Sequence, residues 1–362
     1  MATRTDAAVR VVLTAADRAR TLAADARSGL ARPPRSLPSK WLYDGVGCAL
    51  FDTITTLEEY YPSRAERAAL VRHADDIARA SAAETLVELG SGTSTKTRLL
   101  IEALHRHGTL RRFVAFDVAE ETLRAAVATL GEDYPCLEVA GVVADFESHL
   151  EHLPGGEQRM VAFLGGTIGN LDPPGRRRFL GQVASELGAG EELLLGVDLV
   201  KDPGRLIAAY DDREGVTEAF EKNALAVLNR ELRADFDLAR FAYRASWSES
   251  EERIEMGLVA RGAQQVRLDA LDLVVELDDG EEIRTEVSAK FRLEGITAEL
   301  ADAGLPLVGC WSDPDGDFAL LLARRADRAE RDPTGPGAEG PGDGLPRPHS
   351  RGDGAPGSGG RR

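Results

Sequence analysis

The residues best placed for chemistry fall at the ends of three apolar runs. Thr85-Leu86-Val87-Glu88-Leu89 leads into Gly90-Ser91-Gly92-Thr93-Ser94-Thr95, and Lys96-Thr97-Arg98-Leu99-Leu100 then reads as a helix start. A strand, a tight glycine turn and a helix start make a nucleotide-binding crossover. A dinucleotide fingerprint needs Gly-x-Gly-x-x-Gly, and Thr95 holds the third glycine position, which argues against a pyrophosphate pressed onto the helix end. Phe113-Val114-Ala115-Phe116 closes on Asp117, where a ribose diol is gripped in such folds. Leu137–Ala144 closes on Asp145-Phe146, a carboxylate and a ring suited to an adenine amino group and its face. Each feature has a plainer alternative: an ordinary βα turn at the glycines, and helix caps at Asp117 and Asp145. Three successive strand ends of this kind favour a nucleoside site.

The acid ahead of the glycines refines that reading. Glu88-Leu89-Gly90-Ser91-Gly92 fits the Glu/Asp-x-Gly-x-Gly signature of class I S-adenosylmethionine (SAM) methyltransferases. Leu164-Gly165-Gly166-Thr167-Ile168-Gly169-Asn170 then ends a fourth strand, beside the position of the sulfonium methyl in that fold. Glycines let backbone approach a ligand, and Asn170 offers both donor and acceptor; the alternative is a turn with Asn170 as a helix cap. Further on, Glu281–Phe291 alternates, so Glu286 and Ser288 project from one face and suit the two nitrogens of an imidazole. A solvated strand face is the plainer alternative there, and spacing alone favours it. Tyr210, before Asp211-Asp212, is equally open.

The elements that must position these residues alternate. Strands at 85–89, 112–117, 137–144, 160–164 and 192–198 are separated by helical stretches, which predicts a parallel sheet covered on both faces. Residues 6–30 have helical spacing, and Trp41, Tyr43, Phe51, Tyr60 and Tyr61 follow as an aromatic cluster, either a lid over the nucleotide site or ordinary core. After 200 come helices over 203–232 and five strand-like runs between 241 and 291, read as an antiparallel meander inserted before the last helix. Leu307–Trp311 and Asp317–Ala323 form a closing hairpin with a reversed strand. The fold class is therefore α/β: a class I methyltransferase doubly wound sheet with a terminal antiparallel strand, plus an inserted α+β substrate domain. The expected domains are an N-terminal segment 1–64 serving the substrate side, a core over 65–200 and 291–325, and an insertion over 201–290. A disordered Gly/Pro-rich tail is expected over 326–362.

Composition narrows the partners. The 362 residues carry 44 Lys and Arg against 61 Asp and Glu, a net charge of -17, so a nucleic-acid substrate is not expected. No apolar run approaches membrane-spanning length and no signal-peptide core opens the chain, so neither a membrane nor export is expected. Cys48, Cys136 and Cys310 are isolated, which suggests reduced thiols in the cytoplasm. His149-x-x-His152 and His105-x-His107 lack a third ligand at useful spacing, so no metal is expected.

Longer runs carry a resemblance. Pro38–Asp44, Glu59–Pro62, Val87–Ser94, Phe163–Asn170, Gly196–Asp202, Phe220–Glu231 and Glu251–Met256 closely resemble the histidine-specific N-alpha-methyltransferases of ergothioneine biosynthesis, over roughly residues 20–325. The resemblance implies a SAM-dependent enzyme that trimethylates the α-amine of L-histidine to hercynine, and a monomer is expected. It further implies that Gly90, Lys96, Asp117, Asp145 and Phe146 contact SAM, and that Asn170 and Tyr210 hold the substrate carboxylate. Tyr60, Glu286 and Ser288 would frame the imidazole, Met256 would line the pocket, and the Gly165 backbone and Tyr43 would lie near the amine. Gly166 stands where the family motif usually has serine, which bears on fine positioning only. Two other readings stay open: a SAM methyltransferase for another amine or amino acid, and a SAM-binding protein without methyl transfer.

Overall fold

The computed structural model describes residues 8–326. The main sheet has eight strands: β1 (Ala8–Val11), β3 (Thr85–Leu89), β4 (Arg112–Asp117), β5 (Glu138–Val143), β6 (Arg159–Phe163), β7 (Glu192–Asp198), β13 (Leu307–Ser312) and β14 (Phe318–Arg324). Their order is β1-β5-β4-β3-β6-β7-β14-β13. All neighbours are parallel except β14, which runs antiparallel to both β7 and β13. This is the expected doubly wound sheet with its reversed strand. β3, β6 and β7 are buried along their whole length, as strands of a parallel sheet covered on both faces must be. Leu86 and Phe113 pack into one layer, and Val87 and Val114 into the other.

The helices are α1 (Ala15–Leu30), α2 (Gly45–Ile54), α3 (Tyr61–Ser81), α4 (Arg98–His107), α5 (Glu120–Asp133), α6 (Pro173–Glu186), α7 (Pro203–Tyr210), α8 (Val216–Leu232) and α9 (Leu293–Asp302). Local chemistry sets their starts. Asp172, not Asn170, caps α6 by accepting from Gly175 N, with Pro173 in the first turn. Thr14 caps α1 with Asp17 in a reciprocal capping box.

Two expectations are corrected. Within the stretch 6–30, Ala8–Val11 are not helical: they add β1 in parallel to the free edge of β5. A four-residue segment pairs there because the sheet edge offers unpaired backbone groups, which helical spacing cannot reveal. The five-stranded meander is not formed either. β8 (Phe241–Ser248), β9 (Arg253–Ala260) and β12 (Glu282–Ala289) make a sheet joined by the N-terminal β2 (Arg35–Ser36), parallel to β12. β10 (Gln264–Leu268) and β11 (Leu273–Leu277) pair as a separate hairpin, with one isolated bridge from Leu268 to Ala234. Apart from Ala326, the stretch expected to be disordered lies outside the described residues.

Candidate active site

The carboxyl ends of β3 to β7 gather the first set of expected residues. Gly90 N donates to Phe116 O at 2.8 Å, folding the glycine turn over the end of β4. Asp117 Oδ2 accepts from Gly92 N and Oδ1 from Ala119 N, both at 2.8 Å. Each oxygen keeps a second lone pair. Burial pushes the Asp117 carboxyl up, against the pull of these backbone donors. Asp145 Oδ1 accepts from Glu147 N at 2.8 Å, and its Oδ2 meets Lys40 Nζ at 3.2 Å. The Phe146 ring packs edge-on against Phe163 at 5.0 Å, and a Cβ added to Gly90 would stand 3.9 Å from it. Lys96 pairs with the fully buried Glu66, whose other oxygen accepts from Gly165 N at 2.6 Å. Glu66 therefore joins the glycine turn to the turn after β6.

That second turn has to be made of small residues. Gly165 and Gly166 both take left-handed backbone angles, φ 77° and 68°, which a serine at 166 would adopt only with strain. A Cβ on Gly169 would lie 2.7 Å from the Ala289 carbonyl oxygen, so glycine lets the turn pack directly on β12. Asn170 then reaches Glu286, donating from Nδ2 to Oε1 at 2.9 Å.

The substrate-side residues converge on the same place. Register shifts between Arg284 and Glu286, and beyond the bulge Glu286 stands opposite Met256 on β9. Ser288 Oγ lies 2.9 Å from Tyr210 OH, and Tyr210 and Ser288 are both buried. Tyr60 packs edge-on against Tyr210 at 5.8 Å. Tyr43 packs against Phe51 at 5.6 Å and Phe220 at 5.2 Å. Burial drives the Tyr43 and Tyr60 phenols well above their ordinary value, with Glu286 adding to the shift. Burial, reinforced by the neighbouring Glu221, also raises the Glu286 carboxyl well above the carboxylate range. The face carrying Glu286 and Ser288 is thus not a solvated strand face. The aromatic cluster packs as core around Phe51 and Phe220, with Tyr60 reaching Tyr210.

Several participants were not singled out in the sequence. Lys290 is fully buried and spends all three N–H groups, on Tyr210 OH at 2.7 Å, Ser288 Oγ at 2.8 Å and Asp198 Oδ2 at 2.9 Å. It continues the two-residue alternation of Glu286 and Ser288, so the signal was available. Asp198, at the end of β7, also accepts from Tyr61 OH at 2.7 Å and pairs with Lys201. Burial would raise its carboxyl, but Lys290 and Lys201 outweigh that and hold it below the usual range. Glu66 and Lys40 had no local signal, because each acts through an element distant in sequence. Of the histidines, His149 Nδ1 lies 3.2 Å from Asp145 N and is turned to that backbone donor. Asp313, Asp315 and Asp317 cluster in the β13–β14 turn, where Asp317 is paired with Arg205.

Two carboxylates with spare lone pairs, an aromatic face and glycine-bared backbone suit a nucleoside sulfonium, and the adjoining polar pocket suits a small amino acid. Comparison with known proteins decides the family. The family model described as "Histidine-specific methyltransferase, SAM-dependent" matches residues 22–325. The chain belongs to this family. Within these histidine-specific methyltransferases it is 55% identical over 313 residues to the histidine N-alpha-methyltransferase of Mycolicibacterium smegmatis, covering 86% of this chain and 98% of that one. It is 53% identical over 301 residues to the Mycobacterium tuberculosis protein of the same name, covering 83% and 94%. Ergothioneine biosynthesis protein 1 of Neurospora crassa is 34% identical over 201 residues, covering 54% of this chain and 23% of that protein.

Proposed function

We propose that this protein methylates the α-amine of L-histidine three times from SAM, giving hercynine for ergothioneine biosynthesis. The observation that carries the reading is the polar cluster of Asn170, Tyr210, Glu286 and Ser288, set beside the Gly165 turn of a methyltransferase sheet. Asp117 would take the ribose hydroxyls, Asp145 and Phe146 the adenine, and Gly90 and Lys96 the remainder of the cofactor. SAM supplies the electrophilic methyl group.

The chain's own residues orient and exclude water. Asn170 and Tyr210 hold the amino-acid carboxylate, Tyr60, Glu286 and Ser288 frame the ring against Met256, and Tyr43 with the Gly165 backbone lines the path of the amine. No side chain is assigned as an obligatory base. An α-amine with a reference pKa of about 8 gives up its proton at neutral pH for only ~1–2 kcal/mol, while positioning supplies up to ~7–11 kcal/mol. The phenols nearest the amine are themselves pushed up by burial, so neither is available as an ionised base at neutral pH. In this reading the N-terminal segment contributes to the substrate domain through β2, which pairs with β12 of the insertion 201–290. Three free cysteines suit a reducing compartment, and we place the reaction in the cytoplasm.

Mass spectrometry of the purified protein with SAM and a panel of amino acids tests the reading. Mono-, di- and trimethylated histidine should accumulate, with other amino acids left unmodified. Methylation of a different amino acid in preference to histidine supports the other-substrate reading, and SAM binding without any methylation supports the non-enzymatic one.

A further inference from the structure

Glu66 lies on α3, outside every strand-end turn, yet it is fully buried and both of its oxygens are engaged. One oxygen pairs with Lys96, just past the glycine turn of β3, and the other accepts from Gly165 N at 2.6 Å. β7 passes close by: a Cβ added to Gly196 would stand 2.6 Å from that second oxygen, so glycine there leaves the carboxylate its seat. The turn after β6 needs such a tie. Gly165 and Gly166 follow one another in left-handed backbone, where glycine avoids strain but brings the most conformational freedom. Within the turn, Thr167 Oγ1 donates to Leu164 O at 2.9 Å, and Gly169 N donates to Gly166 O at 2.9 Å. The peptide joining Leu164 to Gly165 is thus held at its carbonyl by Thr167 and at its N–H by Glu66. An amine attacking a sulfonium methyl must aim its lone pair at that carbon, and an N–H turned toward the amine would compete for the same pair.

Resting on the proposed function, we infer that Glu66 is a positioning residue for methyl transfer: it draws the Gly165 N–H to itself, away from the substrate amine, and fixes the backbone that lines the amine's path. It acts through Gly165 rather than on the substrate. Its second oxygen, on Lys96, ties the same carboxylate to the cofactor side.

Two variants separate this role from the ion pair. Glu66→Gln and Glu66→Leu both lose the charge that faces Lys96, whose side chain is 31% exposed and can turn to water. Only the glutamine keeps an oxygen for Gly165 N. Turnover is measured at saturating SAM and histidine, per site counted by S-adenosylhomocysteine titration. The kcat of Glu66→Leu should fall roughly 100-fold below that of Glu66→Gln, the cost of a reacting group misplaced by about an ångström. The KM for histidine should agree between the two within about threefold, because the contacts to ring and carboxylate are the same in both. Their S-adenosylhomocysteine affinities should agree as well, since each has lost the same ion pair. A merely structural Glu66 would lower the melting temperature of Glu66→Leu and leave kcat per site equal. Where Glu66→Leu does not fold, Glu66→Asp, whose carboxylate is set back by one methylene, takes its place with the same expectation. Equal kcat in Glu66→Gln and its comparison variant, failure of Glu66→Gln to fold, or failure of both other variants to fold overturns the inference. If the wild-type protein leaves histidine unmethylated, the proposed function falls and this role with it; if wild type methylates histidine and the variants do not separate, only the role of Glu66 falls.

Discussion

The Asn170 amide donates to Glu286 Oε1 at 2.9 Å, joining the turn after β6 to the bulged strand of the second sheet. One end of this contact lies at the end of a main-sheet strand and the other on the second sheet. Under the proposed function, selectivity and placement of the reacting amine would be mechanically linked.

Glu286 should decide which amino acid is accepted. A substrate without ring N–H groups leaves the second oxygen of Glu286, the one not bonded by Asn170, without a donor, and sites of that kind reject such analogues by ~10⁴ or more. Phenylalanine is thus expected to be a very poor substrate although it keeps the amine and the carboxylate. Glu286→Ala should raise the KM for histidine more than it lowers kcat, because the ring contact is similar in ground and transition states. Steady-state kinetics with both amino acids checks this, and a wild-type KM in Glu286→Ala contradicts it.

Lys290 should act on histidine without touching it. With its three N–H groups on Tyr210, Ser288 and Asp198, only one of the two hydroxyl protons remains free, since Tyr210 OH and Ser288 Oγ also bond each other. Lys290→Met releases both hydroxyls, and histidine affinity should fall by about 1.5–3 kcal/mol, roughly 10- to 150-fold. Cofactor affinity should be unchanged, because Asp198 retains Lys201 and Tyr61. Equal losses of both affinities in calorimetry would point to general unfolding instead.

Asp117 is expected to hold the ribose with the lone pairs left over from Gly92 and Ala119. Asp117→Ala should weaken SAM binding by about 1.5–3 kcal/mol, as loss of hydrogen bonds to a charged group does. Unchanged SAM affinity would remove Asp117 from the cofactor site and leave it as a brace of the glycine turn.

Glu88 predicts a pH dependence of stability. Burial raises its carboxyl from 4.5 to about 8; Thr97 donates to one oxygen and the other has no partner. The folded chain therefore prefers the protonated acid. The stabilisation is full below pH 4.5 and is lost as pH rises toward about 8, at ~1.4 kcal/mol for each pH unit crossed. Glu88→Gln, a permanently neutral analogue, should gain thermal stability over wild type as pH increases across that window and match it near pH 4.5. Parallel melting curves for the two proteins from pH 4.5 to 8.5 (roughly the window of this linkage) would show that Glu88 does not titrate there.

The order of the apolar runs was enough to specify the main sheet and the addresses of its strand ends. Runs closing on Gly90, Asp117, Asp145 and Gly165 had to be buried parallel strands, and the ends of such strands face a ligand. The two-residue period of β12 likewise put Glu286 and Ser288 on one face, with Lys290 next in the same series. What that face meets was settled by packing alone. Spacing cannot tell water from an interior, and it is burial by packing from other elements, with the acidic neighbour on α8, that pushes the Glu286 carboxyl up. Pairing also lay beyond local pattern: β1 and β2 are short segments recruited by open edges far along the chain, while β10 and β11 satisfy each other and leave the sheet. Glu66 carries the same lesson. It sits on an ordinary helix and acquires a role only because the turn after β6 is folded against it.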